Sequence, residues 1–395
     1  MRDTGGLYIH IPFCKVKCPY CDFFTAVDQE HLVEQLVDAV VLEVARSDAD
    51  AFPYAINTVF IGGGTPSLLE PRHIERMLLA VGDKYDLSAV SEFTLEANPG
   101  EITGAQMVAL RELGINRLSM GFQSLDPGLL KFLGRLHSPD DALRAFAAAR
   151  KAGFDNINVD MIYNVPDQPM EVWQRDLQRL VDLAPEHISA YSLTVESGTE
   201  LAQMVQAGVV AMPDVELDRK MLLWTRGFLG ASGYSAYEVS NHARPGLQCQ
   251  HNLHYWRIEP YLGFGPSAHQ FNGRERSWNI RHLPGYIENL ERGESVVAGS
   301  ELLSQSQVYH EKLIFGLRLS EGVSITEALG FSGSAEFVAH YGPVLQKWEG
   351  RVEIDGDRLL LTDSGVLLAD AIATDLMVSL PGHVQTQDAM PTAKA

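Results

Sequence analysis

Short apolar runs alternate with stretches of helical periodicity through the first half of the chain. Continuous apolar runs are typical of buried parallel strands, whereas apolar residues spaced about three or four apart are typical of helices. The predicted strands are Leu7–Ile11, Ile56–Ile61, Glu92–Ala97, Arg117–Met120, Asn156–Tyr163 and His187–Val195. Helices are predicted over Gln29–Ala45, from about Arg72, and over Thr103–Leu113, Asp140–Ala152 and Met170–Leu183.

This alternation of strands and helices predicts parallel βαβ units. Six such units favour an α/β fold, a partial (β/α)6 barrel. Functional groups in such barrels lie at the carboxyl ends of the strands and in the loops that follow. A lone carboxylate at such a position commonly caps the next helix, but the polar residues at these strand ends together converge on one face of the barrel. The candidates are Glu96, Gln123, Arg135, Asp160 and Glu196.

The second half of the chain has a different pattern. A helix is predicted over Met212–Gly230 and a strand over Tyr234–Val239. Helices over Val308–Leu319, Ala335–Trp348 and Val366–Met377, with a hairpin over Arg351–Leu361 that turns at Asp355-Gly356, predict a small winged-helix-like α+β domain. The predicted domains are a barrel (1–240), a connecting segment (241–300), the winged domain (301–380) and a loose tail (381–395).

Composition and charge narrow the class of function. The chain has 395 residues and a formal net charge of −20, which argues against nucleic-acid binding because that needs a basic surface. A packing or lid role is therefore expected for the winged domain. No apolar run reaches about 18 residues and no signal peptide is visible, so we expect no membrane span and a cytoplasmic location.

Three of the four cysteines lie in one stretch, YIHIPFCKVKCPYCDFF, at Cys14, Cys18 and Cys21. Closely spaced thiolates on a loop are typical of an iron–sulfur cluster, and three ligands leave one iron of a four-iron cluster open. A disulfide with a spare thiol is disfavoured because nothing marks the chain as secreted. A structural zinc site usually has two separated cysteine pairs.

Two further segments suggest a bound ligand. Gly62-Gly63-Gly64-Thr65 follows a predicted strand, and glycines there allow backbone amides to approach a ligand, although a tight turn is the commoner reason. The segment HNLHYW, which follows Cys249, is rich in imidazoles that can ligate haem iron and in flat aromatic rings. A loop fixed by side-chain hydrogen bonds, with Trp256 in the core, explains that segment equally well.

The cysteine spacing, with Tyr20 as the aromatic residue before the third cysteine, resembles the signature of the radical S-adenosylmethionine (SAM) superfamily. From Tyr8 to about Asp375 the chain resembles the oxygen-independent coproporphyrinogen III oxidase-like family in the motifs FIGGGTPS, LEANP, GFQS, NVDMIYNVP, YSLTVE, HNLHYW and GFGPSAH. The resemblance implies a [4Fe–4S] cluster on Cys14, Cys18 and Cys21, with SAM at the open iron. The positions that contact SAM in the family are Tyr8, Tyr20, Gly63, Gly64, Thr65, Glu96, Gln123, Arg135 and Asp160, with Tyr191 and His269 less securely aligned.

Two departures separate the chain from the true oxidases of that family. The oxidases carry a further cysteine where this chain has Phe23, and they have a longer N-terminal arm. Both departures argue against coproporphyrinogen decarboxylation. The motif HNLHYW instead resembles the H-N-x-x-Y-W signature of HemW-type haem chaperones, which pass haem to proteins such as respiratory cytochromes.

That resemblance implies haem as a ligand and haem-accepting proteins as partners, and it leaves a homodimer open. The implied haem-binding residues are His251, Asn252, Tyr255 and Trp256, of which His251 is favoured; His254 and Cys249 are competitors for the iron. The alternative function is a radical SAM oxidoreductase acting on coproporphyrinogen III or another tetrapyrrole. A structural protein with degenerate SAM sites is disfavoured because the glycine loop and the strand-end polar residues are intact.

Overall fold

A computed structural model describes residues 3–378, so the tail predicted for residues 381–395 lies outside the described residues. Within residues 3–378, twelve strands form one sheet and three form another. The large sheet contains β1 (Thr4–Ile11), β2 (Ala55–Gly63), β3 (Glu92–Ala97), β4 (Arg117–Gln123), β5 (Ile157–Tyr163), β6 (His187–Ser192), β7 (Ser235–Ala236), β8 (Asn241–Ala243), β9 (Tyr261–Phe264), β10 (His269–Phe271), β11 (Glu275–Asn279) and β12 (Val297–Leu302). The small sheet contains β13 (Val323–Ser324), β14 (Val352–Asp355) and β15 (Arg358–Leu361).

The helices lie mostly between the strands of the first half and around the small sheet. They are α1 (Val33–Arg46), α2 (Pro71–Lys84), α3 (Gly104–Glu112), α4 (Pro127–Phe132), α5 (Pro139–Lys151), α6 (Met170–Leu183), α7 (Glu200–Gln206), α8 (Val215–Ala231), α9 (Gln250–Trp256), α10 (Leu283–Arg292), α11 (Gln305–Gly316), α12 (Ser334–Lys347), α13 (Asp363–Val366) and α14 (Ala369–Met377). Short 3-10 turns occur at Glu30–Leu32, Ala49–Ala51 and Pro66–Leu68. Within residues 3–378, every helix is either too short or too polar to span a lipid bilayer.

Strands β1 to β6 are parallel neighbours in chain order, which confirms the predicted α/β fold with a partial barrel. Side chains alternate between the two faces of each strand. In β1, the fully buried Leu7, Ile9 and Ile11 belong to the core that includes the helices, whereas Tyr8 and His10 lie on the opposite face. The carboxyl ends of the six strands therefore present polar side chains at one end of the barrel.

The predicted connecting segment, 241–300, contributes strands to the same sheet. Strand β9 pairs in parallel with β1, β10 to β12 continue the sheet by antiparallel pairing, and β8 pairs with β6 at the other end. The strand predicted over Tyr234–Val239 is reduced to Ser235–Ala236, and the polar stretch before Trp256 is a short helix, α9. Strands β8 and β10 have only three residues each, which is too short for a recognisable pattern of apolar and polar positions.

The C-terminal segment has its own core and the predicted winged arrangement. Buried residues of α11, α12 and α14 pack with the three-stranded sheet, and Leu313, Phe337 and Leu359 are fully buried there. The predicted hairpin is confirmed, but its turn lies one residue later: Asp355 pairs with Arg358, so Gly356 and Asp357 form the loop. The last predicted helix is divided into α13 and α14.

Candidate functional site

The cysteine loop follows β1 at the carboxyl end of the barrel. Cys14, Cys18 and Cys21 line a cavity of about 430 Å³, which we call the first cavity. The loop is fixed to the barrel by backbone hydrogen bonds: the amide of Cys14 donates to the carbonyl of Ala26 (3.1 Å), and the amide of Ala26 donates to that of Pro12 (2.7 Å). The sequence thus places three thiols on a short, anchored loop above the strand ends.

The surroundings of the thiols suit a cationic centre. Burial, with smaller contributions from Cys21, Cys18 and Glu101, raises the pKa of the Cys14 thiol to about 11, and the hydrogen bond with Thr65 acts in the opposite direction. A raised pKa favours the protonated thiol. A bound metal centre favours the thiolate instead, because a thiol that coordinates a metal is deprotonated. Among residues 3–378, no three His, Cys, Asp or Glu side chains surround the position of a single metal ion. The loop carries the cysteine donors that hold iron–sulfur clusters, and ligation of a cluster by these three residues stays a prediction.

Most of the residues that the resemblance assigns to SAM lie around the first cavity. Those on its wall are Tyr20, Gly63, Gly64, Thr65, Glu96, Gln123, Arg135, Asp160 and Tyr191. Tyr8 lines a separate cavity of about 280 Å³ inside the barrel, the third cavity, and its hydroxyl lies 2.9 Å from Nδ1 of His10. His269 lies elsewhere, on the second cavity described below. The SAM contacts themselves remain predictions.

Two buried carboxyl groups give the first cavity its electrostatic character. Burial, with a further contribution from Asp160, raises the pKa of Glu96 to about 7. Burial also raises the pKa of Asp160, whose carboxylate accepts hydrogen bonds from Asn158 (2.8 Å) and Ser119 (3.1 Å). A cationic ligand would stabilise the charged form of both carboxyl groups, so this wall suits a ligand that carries an ammonium group.

Asn98 connects the glycine loop to Arg135 by hydrogen bonds, and it is not among the site residues predicted from the sequence. Its Nδ2 donates to Oγ1 of Thr65 (2.9 Å), and its Oδ1 accepts from Nη2 of Arg135. Arg135 also donates to the carbonyl of Gly121 (3.0 Å), and its Nη1 lies 3.7 Å from Sγ of Cys18. The signal was available, since Asn98 directly follows β3 in the motif LEANP.

The glycine loop gives a prediction about stability. Gly63 has a positive φ of 112°, and a Cβ there would overlap the ring of His10. We expect Gly63→Ala to cost about 1–2 kcal/mol of unfolding free energy from backbone strain and about 1–3 kcal/mol more from overpacking. Denaturant unfolding followed by circular dichroism measures this loss.

Gly114→Ala is the matched control for the Gly63 substitution. Gly114 also has a positive φ, 95°, but nothing lies within 4 Å of its added Cβ. It should therefore show the backbone cost alone. Equal losses for the two variants would contradict the predicted overlap with His10.

The motif HNLHYW borders a second cavity, of about 830 Å³, between the barrel and the C-terminal helices. Asn252, Tyr255 and Trp256 lie on its wall. Aromatic rings and two guanidinium groups supply much of the rest. These residues are Tyr191, Tyr261, Phe271, Arg276, Phe315 and Arg318. The carboxylates of Asp218 and Glu238 also line it, and the two guanidinium groups are ion-paired, Arg276 with Glu311 and Glu301, and Arg318 with Asp370. The flat apolar surfaces suit a large ring.

His251, the favoured haem residue, lies behind that wall. Its side chain is almost fully buried on the third cavity, and both ring nitrogens are paired: Nδ1 lies 2.9 Å from Oγ1 of Thr58, and Nε2 lies 2.8 Å from the hydroxyl of Tyr255. Burial lowers its pKa well below the usual value. Cys249 is also buried, and burial raises the pKa of its thiol to about 12. Contact between haem and His251 remains a prediction.

Comparison with known proteins identifies the family. The Radical SAM superfamily model matches residues 8–180, and the HemN C-terminal domain model matches residues 303–368. A protein named heme chaperone HemW from Mycobacterium tuberculosis (strain ATCC 25618 / H37Rv) is 36% identical over 379 residues, which cover 94% of each chain. The chain belongs to the HemW family. The resemblance inferred from the motifs is thereby confirmed.

Other relatives agree with membership of the HemW family. Heme chaperone HemW of Bacillus subtilis (strain 168) is 33% identical, with 92% of this chain and 97% of the relative covered. The mouse (Mus musculus) radical S-adenosyl methionine domain-containing protein 1, mitochondrial, is 40% identical, with 91% and 87% covered. The solved structure of coproporphyrinogen III oxidase (HemN) from Escherichia coli matches with a TM-score of 0.81 at 24% identity, covering 95% of this chain and 90% of that one, and shows the shared fold.

Proposed function

We propose that this protein is a haem chaperone, which binds haem in the second cavity and passes it to haem-dependent proteins. The observation that carries the proposal is that Asn252, Tyr255 and Trp256 of the HNLHYW motif lie on the wall of a cavity of about 830 Å³. Relatives that match nearly the whole chain are named heme chaperones. Respiratory cytochromes as acceptors, a cytoplasmic location and a homodimer are finer predictions that accompany it.

The wall of the second cavity has the groups that a haem ring and its propionates need. Trp256 is edge-on to Phe315, with ring centroids 5.9 Å apart, and the guanidinium of Arg318 lies 5.7 Å from the Trp256 ring centroid. Tyr255 packs edge-on against Tyr261 at 4.7 Å. Aromatic faces bury an apolar macrocycle, and a propionate at its edge would take the place of the exposed Asp370 as the carboxylate partner of Arg318. The lining is therefore suited to a tetrapyrrole.

The first cavity would hold the resident cofactors. Cys14, Cys18 and Cys21 would ligate a [4Fe–4S] cluster, and SAM would lie along the glycine loop beside Glu96 and Asp160. When bound, such a cluster supplies one-electron chemistry and an open iron site. In this proposal the cofactors regulate or trigger haem transfer, and turnover of SAM is not required. Phe23, 64% exposed at the edge of this cavity, provides no fourth thiolate.

Haem titration tests the proposed function. Wild-type protein should bind haem at stoichiometric levels, and Trp256→Ala should weaken the affinity by about tenfold or more because a large aromatic contact is lost. Quenching of intrinsic fluorescence and the haem absorption band both report binding. Trp224→Ala is the matched control, since Trp224 stacks on Phe228 within α8 and is not on the wall of the second cavity.

Two results would contradict the haem-chaperone proposal. The first is wild-type protein that fails to bind haem. The second is anaerobic conversion of coproporphyrinogen III to a vinyl product in the presence of reductant and SAM, which would favour the radical oxidoreductase instead.

A further inference from the structure

We propose that the imidazole of His269 is the protein ligand of the haem iron in the second cavity. The inference rests on the proposed function and adds to it the residue whose ring nitrogen binds the iron. His269 is the first residue of β10, is exposed, and lies on the wall of the second cavity. Imidazole is one of the common axial ligands of haem iron.

The ring of His269 is held in place without using its nitrogens. It stacks on Trp278 with ring centroids 5.8 Å apart and an interplanar angle of 25°. Its backbone is fixed by close packing, because a Cβ on Gly263 of β9 would overlap the carbonyl oxygen of His269. Within residues 3–378, neither ring nitrogen of His269 has a hydrogen-bond partner. A positioned ring with free nitrogens is prepared for coordination.

The competing histidines are already engaged. The nitrogens of His254, the other histidine on the second cavity, lie 2.6 Å from Oε2 of Glu259 and 2.8 Å from Oδ1 of Asn57. His251 is bound in the same way to Thr58 and Tyr255. Coordination through Nδ1 of His251 would leave the buried hydroxyl of Thr58 without its partner, which is unfavourable. Coordination by His254 would break its hydrogen bond to Asn57 or to Glu259.

Other residue types that bind haem iron do not compete well. The lining of the second cavity contains neither cysteine nor methionine. Burial raises the pKa of the Tyr255 and Tyr191 phenols, so forming an iron-binding phenolate is costly. By contrast, burial, Arg276 and Arg281 lower the pKa of His269, which keeps its ring in the neutral form that coordinates metals. Glu301 acts in the opposite direction.

Comparing haem with metal-free protoporphyrin IX tests the assignment. His269→Phe retains a ring that can stack on Trp278 but has no nitrogen. We expect it to weaken haem binding by about tenfold or more and to leave protoporphyrin binding unchanged. The absorption and resonance Raman signatures of an iron–imidazole bond should disappear. Added free imidazole should restore them in the smaller His269→Ala variant.

The controls separate this inference from the proposed function. His31→Phe, at an exposed position outside the cavities, should bind both porphyrins as the wild type does. The inference is overturned if His269→Phe retains wild-type haem affinity and spectrum, if it loses both porphyrins equally, or if only His251→Ala removes the iron–imidazole signature. A further contradicting result is wild-type protein that binds protoporphyrin and haem with equal affinity and shows no spectroscopic sign of a protein ligand on the iron. In that case the assignment of His269 fails, but the second cavity is still a haem site. If wild-type protein binds no haem, the proposed function itself fails.

Discussion

Serine in place of Cys18 should reduce the iron and sulfide content of the anaerobically reconstituted protein to background. Cys18 lies between the other two predicted ligands on a loop of eight residues, and its thiol is beside the guanidinium of Arg135. Loss of one thiolate from three leaves too few ligands to retain a four-iron cluster, since such clusters are held by cysteine thiolates. SAM binding, measured by calorimetry, should be lost with it.

Cys249→Ser is the matched control for loss of the cluster. It also removes one thiol, but Cys249 is fully buried outside the first cavity, with its sulfur 3.5 Å from Oε1 of Glu92. This variant should reconstitute like the wild type. A Cys18→Ser protein with full iron and sulfide content would contradict the cluster assignment.

The largest expected loss of stability follows from removal of Glu92. Its carboxylate accepts hydrogen bonds from the backbone amides of Gln250 (2.8 Å) and His251 (2.9 Å), at the start of α9. It also offsets the charge of Arg117, which is 2% exposed. Glu92→Ala leaves these buried groups without their partner, which typically costs about 3–5 kcal/mol. Denaturant unfolding should show this loss, and haem affinity should fall because α9 carries Asn252, Tyr255 and Trp256.

Two further substitutions serve as controls for the loss of stability in Glu92→Ala. Glu92→Gln retains an acceptor oxygen without the charge, so its loss of stability should be intermediate. Glu75→Ala removes a carboxylate from the exposed face of α2 and should change stability by about 0.5 kcal/mol or less. The proposed role of Glu92 is wrong if Glu92→Ala is as stable as Glu75→Ala.

The sequence predicts the barrel well because its signals are local. Each long strand is a short segment rich in apolar residues, each following helix has an apolar face, and Cys14 to Cys21 occupy one loop. The additional strands β9 to β12 could not be predicted in the same way. Strands β9 to β11 are three to five residues long, and β12 has no buried face. Strand β9 also pairs with β1, which lies about 250 residues earlier in the chain. Such pairing is set by tertiary packing rather than by a repeating pattern.

The hydrogen-bond partners of His251 and His254 could be predicted only in part. Once α9 is a helix, the interval of four residues between His251 and Tyr255 places them on one face, so their hydrogen bond follows. The partner of the other nitrogen, Thr58, lies 193 residues away in sequence, and the partner Asn57 of His254 lies 197 residues away. No periodicity in the sequence contains this information.

Tyr191 forms part of the wall of all three cavities. A rotation of its phenol ring that enlarges one cavity reduces the space in its neighbour. A ligand that displaces this ring would change the affinity of an occupant on its other side, and any such change is matched by an equal change in the reverse direction. Exchange of Tyr191 for a smaller residue would remove part of the wall between neighbouring cavities and should weaken any coupling between their occupants.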